Sequence, residues 1–125
     1  MHTKNTTPTE LANALLSRSL CKVQMAAVIS DDRGIFAWGW NHVGPEGRGE
    51  HAEAAAIRRG NRQRFPHATI TVVGWRQPHG KTDGRRVTSL PCMDCMDRIK
   101  AAGIPYVQYW QENKWVVIPV DSDTD

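Results

Sequence analysis

Two cysteines three residues apart, in Pro91-Cys92-Met93-Asp94-Cys95, stand where the sequence predicts a helix to begin. On the first turn of a helix that spacing puts both sulfurs on one face, as a pair of metal ligands requires. Free N–H groups and partial positive charge at a helix start also favour the thiolate that a metal binds. A catalytic zinc takes about three protein ligands and keeps one tetrahedral position open, whereas a structural zinc closes all four. The best candidate for a third ligand is His51, 41 residues upstream in His51-Ala52-Glu53, which opens a second predicted helix. Any fold that serves both motifs must bring two distant helix openings together. The remaining cysteine, Cys21, has no ligand motif near it and reads as a small core residue.

A chain of 125 residues is read as a single domain, 1–125, with a core of its own and flexible ends at 1–6 and 120–125. Three cysteines, two of them in one Cys-x-x-Cys, make no disulfide framework, so a reducing compartment and a cytoplasmic location are expected. The polar start of the chain lacks the apolar region of a signal peptide, and no apolar run reaches membrane-spanning length, so no membrane partner is expected. Net charge is +3, but Asp121, Asp123 and Asp125 crowd the end; without them sixteen basic residues face ten acidic ones. Arginines together with five tryptophans suit phosphates and bases, although a solvated surface over core aromatics explains the same counts.

Thr7-Pro8-Thr9-Glu10 reads as a capping box opening a helix that runs to about Leu20. Apolar runs Val23 to Ile29 and Ile35 to Trp40, split by Ser30-Asp31-Asp32-Arg33-Gly34, predict a β-hairpin. A loop rich in glycine and proline, His42 to Gly49, of a kind that often borders a site, then leads to the helix from Glu50 to about Gly60. Arg58, Arg59, Arg62 and Arg64 gather at and beyond that helix's end, where the dipole favours cations; a phosphate-binding patch is the alternative. Ala68 to Trp75 reads as a central strand, followed by a polar loop or ragged hairpin, Arg76 to Ser89. This segment carries Arg76, His79, Lys81, Arg85 and Arg86 and leads into the Cys-x-x-Cys helix, so Arg85 and Arg86 are candidates to touch a substrate phosphate. The helix from Cys92 stops at Gly103, with Pro105 beyond it. Strands Val107 to Trp110 and Trp115 to Ile118 are only four residues apart, too close for a crossover helix, so they are expected to pair antiparallel. The order α-β-β-α-β-α-β-β predicts a mixed α/β sheet carrying two ligand-bearing helices.

A zinc held by His51, Cys92 and Cys95 would make water a nucleophile near neutral pH. Glu53, two residues from His51, needs no metal bond of its own and can take a proton from that water, pass it to a ring nitrogen and protonate a departing amine. Alone, Cys-x-x-Cys is more often a structural half-site or a redox pair, and His-x-Glu arises by chance; together, each opening a helix behind a strand, they favour catalysis. The other histidines, His2, His42, His67 and His79, read as solvent or packing residues.

His-x-Glu with Pro-Cys-x-x-Cys resembles the signature of zinc deaminases, and from Val23 to Ile118 the chain is similar to the cytidine and deoxycytidylate deaminase superfamily. The resemblance implies a three-layer fold with a mixed five-stranded sheet and zinc between two helices. It makes His51, Cys92 and Cys95 the zinc ligands and Glu53 the proton shuttle. Gly39-Trp40-Asn41 resembles the family's Gly-x-Asn, which assigns Asn41 to the sugar, and the Ala52 N–H would meet the base. His-Ala-Glu and Pro91 to Ile104 are similar to deoxycytidylate deaminases and their phage relatives, whereas the terminal hairpin resembles free-cytidine deaminases and deaminase toxins. Relatives commonly form dimers or tetramers, which implies a homo-oligomer.

The expected activity is zinc-dependent hydrolytic deamination of a cytosine ring on a small-molecule nucleoside or nucleotide. The alternative is a deaminase of cytosine or adenine in single-stranded DNA or RNA, with Arg76 to Arg86 and the tryptophans as the track. A zinc-stabilised module without turnover is the third reading, and it leaves Glu53 without a purpose.

Overall fold

The computed structural model describes residues 6–44, 49–77 and 84–120. Helix α1 (Pro8–Leu15) opens with the expected box: the Glu10 N–H donates to Thr7 Oγ1 at 3.2 Å, and the Thr7 N–H donates to Glu10 Oε1 at 2.9 Å. It ends five residues before the expected Leu20, passing into a 3₁₀ turn at Leu16–Arg18. The reason lies in Ser19, whose buried hydroxyl donates to Asn41 Oδ1 and whose carbonyl accepts from the Gln24 side chain, roles that a helical Ser19 could not serve.

Strands β1 (Val23–Asp31) and β2 (Gly34–Trp40) form the predicted hairpin. Helix α2 (Ala52–Arg59) begins two residues later than expected, because His51 takes extended backbone at the N-cap. β3 (Thr69–Arg76) turns back into a short strand β4 (Arg85–Val87), so the segment read as a loop or ragged hairpin is a hairpin; its residues 78–83, His79 and Lys81 among them, lie outside the described residues. So do 45–48 of the glycine-rich loop, and 1–5 and 121–125 of the two ends expected to be flexible. Helix α3 (Met93–Ala102) closes on Gly103 at φ +87, and crosses over to β5 (Tyr106–Gln111), which pairs parallel with β3. β6 (Lys114–Pro119) returns antiparallel through a two-residue turn, Glu112-Asn113, with both residues at positive φ.

The five expected strands run in the order β2-β1-β3-β5-β6, and β4 adds a sixth at the end of β3. Side chains alternate between two cores, as a sheet covered on both faces requires. Ala26, Val28 and Val73 pack under α1, while Ala27, Ile29, Ile70 and Val72 pack under α2 and α3 with Phe65 and Ile99. The result is the expected three layers.

α2 lies close on β2 because of Gly39, where a Cβ would stand 2.6 Å from Ala55 Cβ and 2.7 Å from the Ala56 backbone nitrogen. Nothing flexible can yield there. Gly39→Ala is expected to lower stability by about 1–3 kcal/mol, read as an earlier midpoint in urea; an unchanged midpoint would mean that α2 does not need this approach.

At the far end of β1, Asp31 accepts Arg64 Nε at 2.7 Å and Nη2 at 2.6 Å, with only 4% of its side chain exposed. The Arg64 hydrogen bond, with help from the Arg33 N–H, holds the Asp31 carboxyl well below the ordinary carboxylate range. A depressed folded pKa stabilises above the unfolded value of about 4 and ceases to do so as pH falls through the folded one. Asp31→Asn should therefore melt earlier than the parent at pH 7, with the gap narrowing as pH is taken below about 4; a gap independent of pH would remove the ion pair from the account.

Candidate metal centre and active site

The starts of α2 and α3 meet. His51 and Cys92 are the N-cap residues of the two helices, both with extended backbone, and neither side chain caps its own helix. Their donor atoms are thus left to face each other, with Cys95 joining them from the first turn of α3. His51 Nδ1 lies 3.1 Å from Cys95 Sγ and 3.9 Å from Cys92 Sγ, and the three donor atoms fall within 4.8 Å of one another. Zinc–ligand bonds of about 2.0–2.3 Å at tetrahedral angles would separate such atoms by roughly 3.5–3.8 Å. One imidazole and two sulfurs at these separations fit zinc.

One buried residue holds the cysteine segment in place. Ser89 is fully buried; its hydroxyl donates to Val72 O at 2.7 Å and accepts the Trp110 N–H at 2.8 Å, and its own N–H donates to Trp110 O. That ties the approach to Cys92 onto β3 and β5 at once. Burial pushes the Cys95 thiol's pKa up, and the neighbouring Glu53 carboxylate and Cys92 push it the same way.

Glu53 stands on the first turn of α2, 4% exposed. Burial raises its pKa, opposed in part by a bond to its own backbone N–H and by His51 and Cys95. It lines a cavity of about 220 Å³ with Met25, Asn41, His51, Leu90 and Cys92, and with Ala52 and Pro91 as further walls. That is below the roughly 300–1,000 Å³ of pockets for drug-sized ligands and suits a single ring. Ala52 holds the first helical position, where backbone N–H groups have no partner within the helix.

Asn41 reaches the same cavity, but most of its amide is already engaged. Its Oδ1 accepts Ser19 Oγ at 2.6 Å and the Met25 N–H at 2.8 Å, and its Nδ2 donates to Val23 O at 2.9 Å. One N–H remains to offer. The structure therefore assembles His51, Ala52, Glu53, Cys92, Cys95 and Asn41, and leaves two expected residues elsewhere. Arg85 is exposed on β4, and Arg86 lies over the rings of Trp110 and Trp115 at 4.8 and 5.9 Å and donates to Asn13 Oδ1. Neither lines the cavity.

Cys21 is not in either core: it is half-exposed and lines a shallow depression with His42, Val43 and His51. It sits between the 3₁₀ turn and β1, where the chain runs over the surface. His42 bonds the Trp40 carbonyl and approaches Glu50 at 3.2 Å, a packing role. Met25, Leu90 and Ser89 escaped the sequence reading. Only Leu90, an apolar residue directly before Pro91-Cys92, had a local signal in the sequence; the structure leaves it 46% exposed.

Residues 3–111 match the family described as the cytidine and deoxycytidylate deaminase zinc-binding region. The cytidine deaminase of Burkholderia pseudomallei superposes with a TM-score of 0.67 at 21% identity, over 90% of each chain. The dCMP deaminase of cyanophage S-TIM5 does so with a TM-score of 0.52 at 21% identity, over 80% of this chain and 76% of that one. A cytidine deaminase of Mycobacterium tuberculosis gives a TM-score of 0.53 at 14% identity, over 78% of this chain and 75% of that one. These likenesses show a shared fold. No curated protein matches the chain in sequence.

Proposed function

Because the chain belongs to the cytidine and deoxycytidylate deaminase family, we propose that it is a zinc-dependent enzyme that hydrolyses the amino group from a cytosine ring of a nucleoside or nucleotide, releasing ammonia. The observation that carries this reading is the meeting of three donor atoms from two helix starts beside a buried carboxyl in a ring-sized cavity. His51 Nδ1 and the sulfurs of Cys92 and Cys95 would hold the metal. Zinc, when bound, supplies a Lewis acid strong enough to make water nucleophilic near neutral pH.

The residues of the chain do the rest. Glu53 accepts a proton as water adds to the carbon bearing the amino group, and passes one to the adjacent ring nitrogen. It then takes the proton of the newly added hydroxyl and delivers it to the amino nitrogen as the C–N bond breaks, so that ammonia leaves and a carbonyl remains. Pro91, Leu90 and Met25 would wall the ring. Asn41 has its acceptor taken, so it acts as a donor toward a substrate oxygen, and the Ala52 N–H is a second donor. We read residues 1–125 as one deaminase domain, and its free thiols suit a reducing, cytoplasmic setting.

The test is an ammonia and mass-shift assay on zinc-loaded protein across cytidine, deoxycytidine, their monophosphates, adenosine and single-stranded oligonucleotides. Turnover is expected on a cytosine compound, with the ranking naming the substrate. Silence across the panel would defeat the proposal.

A further inference from the structure

The arginines that gather where α2 ends do not share one role. Arg64 is consumed by Asp31, and Arg59 lies over the Trp40 ring at 5.1 Å while donating to Trp38 O. Arg58, Arg62 and, from α3, Arg98 instead converge on a trough of about 510 Å³ between the two helices, floored by Ala54 and Ala101. Glu50, the carboxylate at this trough, is taken by a bidentate bond from Arg58 at 2.8 and 3.0 Å. Arg58 keeps the other three of its five N–H donors. Arg62 and Arg98 form no ion pair or hydrogen bond with any described residue; Arg62 touches only the Phe65 ring, at 5.9 Å. Two arginines without an ion-pair partner among the described residues thus stand in one concave surface. The nearby ends of α2 and α3 offset them with about half a negative charge each, leaving the trough cationic.

We infer that this trough is a binding site for phosphate groups, separate from the cavity that holds the reacting ring. Planar guanidinium forks match phosphate oxygens in pairs, and alanine walls let a ligand approach the helix backbones. The site takes adjacent phosphates, because Arg62, in the 3₁₀ turn Arg62–His67 that follows α2, and Arg98, on α3, reach it from different elements. Asp94 limits it on one side: this carboxylate lies one turn before Arg98 and lines the neighbouring depression together with Arg98, Glu50, His51 and Cys95, so the phosphates sit toward Gly60. Two sources carry such chemistry, a free oligophosphate and the backbone of a single strand.

Binding is measured with inorganic triphosphate and with single-stranded oligothymidylate, which has no amino group to lose. Triphosphate should bind the parent protein, and Arg62→Ala with Arg98→Ala should weaken it at least about tenfold, the effect of removing one charge-assisted hydrogen bond. If the source is a strand, oligothymidylate binds more tightly than triphosphate, and the double variant lowers the slope of log affinity against log salt by about 1.4, roughly 0.7 for each phosphate no longer neutralised. If the source is a small anion, the oligonucleotide gains nothing over triphosphate. Both variant side chains are exposed, so melting temperature and cytidine turnover should stay at parental values. The paired lysine variant should recover part of the affinity, since it keeps charge but loses the fork. Parent protein that binds neither probe, or a double alanine variant that binds both as well as the parent, overturns the inference.

Discussion

Glu53→Gln should reduce ammonia release by about 10²–10⁴-fold or more, the span typical of a positioned acid–base group, while leaving zinc content and melting temperature near those of the parent. Glutamine fills the same volume and keeps a hydrogen-bonding tip, so the 4% exposed site on α2 stays packed. What it loses is the ability to accept and return a proton. Glu53→Ala would remove the same chemistry but add a void beside Ala52 and the proposed metal ligands, mixing a packing loss into the result. The glutamine variant is therefore the cleaner instrument, read by ammonia release alongside metal analysis of the same sample. Turnover above a tenth of the parental rate, with zinc present, would take the proton-shuttle role away from Glu53.

Removing zinc should cost stability as well as activity, and the two cysteines should differ in how much. A metal bound by the folded chain alone adds RT ln(1 + [L]/Kd), about 2.7 kcal/mol when the free ion stands a hundredfold above Kd. His51, Cys92 and Cys95 come from two helix starts, so chelation loosens the junction between α2 and α3, and the melting temperature should climb again as zinc is titrated back. Cys92→Ser and Cys95→Ser should both abolish that zinc-dependent rise. Cys95→Ser should melt lower still, because Cys95 is 2% exposed and a hydroxyl there must be desolvated at about 1–3 kcal/mol, whereas Cys92 lies exposed. A melting temperature indifferent to zinc in the parent protein, or a Cys92→Ser variant that keeps a full complement of metal, would rule this out.

The sequence by itself determined whatever near neighbours on the chain control. Thr7 and Glu10 sit three residues apart and close a capping box; Gly103 ends α3 because only a residue free of Cβ takes φ +87 at no cost. Cys92 and Cys95 share a face because a helix repeats every 3.6 residues. Four residues between the last two strands left only a hairpin. The tertiary structure alone decided what depends on segments distant in sequence. Asn41 is largely engaged because Ser19, Val23 and Met25 surround it, and no spacing rule announces that. Arg86 is drawn to two tryptophans across the sheet and so away from the cavity, while Arg62 and Arg98, 36 residues apart, face one trough. The division has one cause. Local backbone sterics and hydrogen bonds act over a few residues and leave a readable pattern, whereas the partner of a long polar side chain is set by which surfaces the packed core brings together.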